Sequence, residues 1–125
     1  QPFPGPGLFI RVVGVPATQE RMDVVRFADA RVREILERHG IYKNISQLVV
    51  AYLGVHTVGV KGSARVYGPA IVVRAVETMD FMTARGIHFS DAIEEEICAV
   101  LTRHPDIVRV FFDPTQKPPA TTEME

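Results

Sequence analysis

The chain has 125 residues, one domain's worth, with 46% hydrophobic and 23% charged residues, as in an ordinary globular protein. Lys and Arg number 14 against 15 Asp and Glu, a net charge of −1. That balance provides no broad field for nucleic acid or an anionic membrane, so neither is expected as a partner.

A single cysteine, Cys98, excludes an intramolecular disulfide and argues against a Cys-based zinc site. No signal peptide is visible, and no apolar run reaches the roughly 18 residues of a membrane span. The expected setting is intracellular, either cytoplasm or an organelle matrix.

The first seven residues, QPFPGPG, read as a Pro-rich N-terminal arm. Leu8–Val15 (LFIRVVGV) is rich in β-branched and aromatic residues and reads as a strand ended by Pro16. Thr18 is placed to cap a helix with Glu20 in its first turn. Val25, Ala28, Val32, Ile35 and Leu36 recur at helical spacing, and His39 and Gly40 close the helix.

Gln47–Leu53 (QLVVAYL) reads as a second strand, apolar on both faces. Gly54–Gly68 contains several glycines and reads as an irregular hairpin or loop. Ala70–Val76 (AIVVRAV) is a third strand. Ser90 caps a second helix whose stripe is Ile93, Ile97, Val100 and Leu101, with Cys98 as a small buried hydrophobe beside it. Ile107–Phe112 (IVRVFF) is a fourth strand, and the Pro- and Thr-rich tail 114–125 reads as extended or disordered. The predicted domain thus spans residues 8–113.

The expected fold class is α+β. Two β-α-β units form a four-stranded mixed sheet with two helices on one face. Two helices bury only one face, yet the strands are apolar on both. The pattern therefore predicts that the second face meets other subunits, in a homotrimer or a larger protein complex.

Three stretches, LFIRVVGVPAT, GIYKNISQLVVAYL and LTRHPDIVRVFFD, together with the element order, resemble the tautomerase superfamily and its macrophage migration inhibitory factor-like members. The resemblance implies a trimer around a barrel-like core and a proton-shuttling N-terminal proline with a free amine. It also implies pocket cations for a small carboxylate substrate and no cofactor. Lys43 matches the position of the family lysine, and Arg74 and Arg109 are further candidates for holding the carboxylate. As numbered, Pro2, Pro4 and Pro6 are all amide-bonded, and an amide nitrogen is no base. The leading expectation is therefore a non-catalytic structural or binding module of this type. The alternative is an active keto–enol tautomerase in which cleavage exposes Pro6. A ferredoxin-like binding module has the same element order. Arg74 also admits a second reading, an inter-subunit salt bridge.

Other signals point away from chemistry. His39, His56, His88 and His104 lack metal-ligand spacing, so no metal is expected. GVKGSARVYG lacks the spacing of a phosphate-binding loop and reads as a hairpin or contact loop.

Overall fold

The computed structural model describes residues 5–80 and 82–125. Its elements are α1 (Gly5–Ile10), β1 (Val12–Val13), α2 (Gln19–Arg38), a 3-10 turn (Tyr42–Asn44), β2 (Gln47–Lys61), β3 (Ala64–Thr78), β4 (Ala84–Gly86), α3 (Asp91–Leu101) and β5 (Arg109–Phe112). They form an α+β domain around one mixed sheet. β1 pairs parallel with β2, β2 antiparallel with β3, and β5 parallel with β3. β4 shares the β5 edge of β3, pairing antiparallel at Val76–Thr78, while β5 occupies Ala70–Val73.

The two long helices start where their caps allow. Thr18 accepts a hydrogen bond from the Arg21 amide (3.2 Å) and Ser90 from the Ile93 amide (3.3 Å). Both helices lie on one face of the sheet. Ala28, Val32 and Leu36 of α2 and Ile97 and Leu101 of α3 pack against Leu48, Val50, Ile71, Val73 and Ala75. The strand residues alternate, as period-two geometry requires. The C-terminal end of α2 is tied to the middle of α3 by Glu96, which accepts from Arg38 and pairs with His39 Nε2 at 2.8 Å. None of the described helices is long and apolar enough to cross a membrane.

Three sequence expectations change. The run Leu8–Val15 is not one strand: residues 5–10 are helical and only Val12–Val13 pair with β2. Leu8 and Val12 are both buried, against Val25, whereas Phe9 is 56% exposed. A short apolar run does not declare its own period, and here the contact with α2 chose the helical one. Pro6 accordingly lies in the first turn of α1, and the remainder of the expected arm, residues 1–4, lies outside the described residues.

The Gly54–Gly68 segment is also not a loop. It continues β2 and β3 into a 15-residue-per-strand hairpin with a register shift between Leu53 and Thr57. A Cβ on Gly59 or Gly68 would fall 2.4 or 2.8 Å from the Val108 side chain. These glycines admit a close neighbour to the strands and do not mark a turn.

The third change concerns the second face, which carries Val49, Ala51, Val72, Arg74 and Val76, all buried. The chain's own C-terminal segment crosses it. After β5 the backbone passes Gly86 at Pro114 and pairs Lys117 with Ala84 through two hydrogen bonds (2.8 and 3.0 Å). It then returns over Arg74 and ends with Glu123 against Arg11 beside β1. The segment 114–123 is therefore a strap spanning the sheet from the β4 edge to the β1 edge. The expectation of a sheet face left uncovered by the chain itself does not hold, because the strap occupies that face.

Two outcomes follow from these contacts. A Cβ at residue 86 would lie 2.1 Å from the Pro114 carbonyl oxygen, a backbone atom that cannot rotate away. Gly86→Ala should lower stability by ~1–3 kcal/mol in urea unfolding and increase protease cleavage of the strap. The Glu96 carboxyl is held at about 2, below its ordinary 4.5, by Arg38 and then His39. Its stabilising contribution is thus complete above the unfolded value and fades as pH falls toward the folded one. The difference in urea midpoint between wild type and Glu96→Gln should be largest above pH ~5, shrink as pH falls, and vanish only below pH ~2.

Candidate functional site

Arg74 is the centre of the second face. Its side chain is 0% exposed, on a strand otherwise composed of Ala, Val and Ile at that level. A guanidinium cannot lose its charge at ordinary pH, so every donor it buries needs an acceptor. The strap and Asp113, the residue leading into it, supply them as backbone carbonyls. Nε donates to Thr122 (3.1 Å), Nη2 to Thr121 (3.1 Å), and Nη1 to Thr115 (2.5 Å) and Asp113 (3.3 Å). The Asp113 carboxylate lies 3.5 Å from Nη1 and balances the charge. Burial opposes ionisation of Asp113, but the Thr115 hydroxyl and amide, together with Arg74, hold its carboxyl below the usual range.

The strap's end is fixed separately. Arg11 donates through Nε and Nη2 to both oxygens of Glu123, each at 2.9 Å. This is the bidentate geometry that gives an ion pair directional strength. Between the two anchors, residues 116–120 form a short loop closed by a hydrogen bond from the Ala120 amide to the Gln116 carbonyl (3.0 Å). Lys117 is the only cation between residues 114 and 125. Its backbone is pinned to β4, and its side chain has no ion-pair partner among the described residues.

The cations picked out in the sequence do not converge. Arg109 lies at the level of Ala70, four residues along β3 from Arg74 and thus about 13 Å away. Its Nη2 donates to the Val58 carbonyl at 2.8 Å. Lys43 is exposed in the 3-10 turn before β2, beyond the opposite end of the Arg74 level. Arg74 itself is filled by the strap. Sequence reading missed Arg11, Asp113, Lys117 and Glu123. All four of the hydrogen bonds from Arg74 go to carbonyls, which every residue possesses and no sequence advertises. The available signal was Arg74 itself, a lone arginine in an apolar strand.

Cys98 is half-buried on α3, where burial and then the nearby Glu94 charge push its thiol up. A protonated thiol is a poor nucleophile. Among the described residues no three His, Cys, Asp or Glu side chains form a metal-binding group.

Comparison with known proteins identifies the domain. Residues 34–124 match the family described as GMP synthase C terminal domain. The chain is similar to glutamine-hydrolysing GMP synthases across its whole length. It is 45% identical to that of Candida albicans over 99% of this chain and 23% of the relative. It is 43% identical to that of Caldanaerobacter subterraneus over 100% and 24%. The identity to the Thermus thermophilus enzyme is 42%, over 99% and 25%. The chain thus spans about a quarter of the length of the curated relatives it matches.

These matches overturn the tautomerase resemblance. Both forms of that reading fall, the silent binding module and the active enzyme with Pro6 as base. The resemblance rested on element order and on short β-branched strings, which sheet proteins of many families share, and its first string is not a single strand. The family match runs from the last turns of α2 to residue 124, so it takes in Arg74, Lys117 and the whole strap. The chain belongs to the GMP synthase C-terminal domain family.

Proposed function

We propose that this chain is the C-terminal domain of a glutamine-hydrolysing GMP synthase, which couples glutamine hydrolysis to ATP-dependent formation of GMP. Within that larger assembly its role is to hold the nucleotide, and the catalytic steps belong to the rest of the enzyme. Glutamine hydrolysis calls for an activated nucleophile, and the chain's only cysteine has a raised thiol pKa. The glycine- and lysine-containing stretch 59–68 forms the end of the β2–β3 hairpin, with its turn at Gly62, and it leads into a strand. A phosphate-binding loop would lead into a helix.

The strap supports this reading most directly. Ten residues without regular secondary structure, 114–123, are fixed at both ends and lie inside the region the family shares. They present one cation, Lys117, on a rigid base. GMP and its purine nucleotide precursor are phosphate monoesters, dianionic near neutral pH, and a fixed ammonium is a suitable point-charge partner for them. Lys117 is therefore assigned to the nucleotide phosphate.

The test is Lys117→Ala in the full-length synthase that carries this domain, with ammonium salt replacing glutamine as nitrogen source. The nucleotide KM should rise about tenfold or more, since a charge-assisted contact contributes about 1.5–3 kcal/mol. Glutamine hydrolysis measured without nucleotide should not change. An unaltered nucleotide KM would remove Lys117 from the site, and an enzyme that forms no GMP would remove the family activity from this chain.

A further inference from the structure

The geometry points to Arg74 as a positioning residue for nucleotide binding, acting through the strap without touching ligand; the inference rests on the reading of Lys117 just given. One guanidinium grips the strap on both sides of Lys117. Nη1 holds the Thr115 carbonyl before the loop 116–120, and Nε and Nη2 hold the Thr122 and Thr121 carbonyls after it. These donors belong to one planar group, so the two stems of the loop cannot move independently while the fork is engaged. The second constraint is the pair of hydrogen bonds between Lys117 and Ala84, which fixes the loop against β4. The Lys117 side chain consequently leaves from a backbone held at three places.

An apolar residue at position 74 would fill the same face without desolvating a charge. A buried arginine is therefore poorly explained by stability, and selection of one strap conformation is the explanation that fits. The shape of the group matters as well as its charge. A lysine at position 74 offers one compact ammonium, which cannot reach both stems with fixed directions.

The experiment uses the full-length synthase with Arg74→Met and Arg74→Lys, and Lys117→Ala in parallel. Hydrogen exchange is followed by mass spectrometry over residues 82–86 and 114–125, with α2 and α3 as internal references. Nucleotide KM and kcat are measured with ammonium salt. Both Arg74 variants should speed exchange in the strap while leaving the helices unchanged. They should raise KM about tenfold with kcat within about twofold, the pattern of lost binding rather than lost chemistry. Should Arg74→Met fail to fold, Arg74→Lys decides alone. A KM within about twofold of the unaltered enzyme overturns the inference, as does a raised KM with an unchanged strap. Full restoration by Arg74→Lys also overturns it, because the fork geometry would then be dispensable. If Lys117→Ala leaves KM unaltered, the assignment of Lys117 has failed. Strap exchange in the Arg74 variants still reports separately whether the fork holds the loop.

Discussion

A positive charge that cannot be removed, placed where water cannot reach it, is the constraint on which this domain turns. Burying an ion costs several kcal/mol even after relaxation. Four carbonyls and one carboxylate around Arg74 offset that cost, yet an apolar side chain of similar volume in place of a buried, fully paired charge is often neutral or stabilising. The arrangement thus adds little to net stability and much to definition. Any strap path that leaves one donor unpaired is penalised, so one path is selected from the many that a Pro- and Thr-rich segment could take.

The sheet is asymmetric for the same reason. One face is covered by two amphipathic helices through area and shape, with Val32, Leu36, Ile97 and Leu101 fully buried against alternating strand residues. The other face is covered by backbone polar groups reaching inward to a single side chain. Apolar burial is non-directional and tolerates small displacements, whereas hydrogen bonds to a planar fork do not. The helix face supplies the cohesion of the domain, and the strap face supplies a fixed position for a few outward groups. A holding role within a larger enzyme needs the second property.

The mistaken family resemblance has an instructive origin. Two helices, each joining parallel strands on one sheet, produce much the same hydrophobic text wherever they occur, because right-handed crossovers and period-two burial leave few alternatives. GIYKNISQLVVAYL and LTRHPDIVRVFFD reported those constraints and carried little about ancestry. The residues that distinguish this domain lie elsewhere. They are Arg74, which interrupts a strand, and the tail after Phe112, which from composition alone reads as extended or disordered.

The sequence by itself determined the two long helices with their caps at Thr18 and Ser90, the central strands around Val50 and Val73, and the mixed α+β plan. Each of these depends on local propensity or on burial repeating with a fixed period. It also marked Arg74 as an anomaly. Tertiary structure decided the helical form of residues 5–10, the length of the β2–β3 hairpin and the path of the strap. Leu8 needed Val25 to choose its period, and Gly59 and Gly68 needed Val108 to explain their missing side chains. The acceptors for Arg74 are carbonyls 39 to 48 residues away along the chain. A backbone carbonyl is the same in every residue, so only the fold could show which ones a buried guanidinium would find.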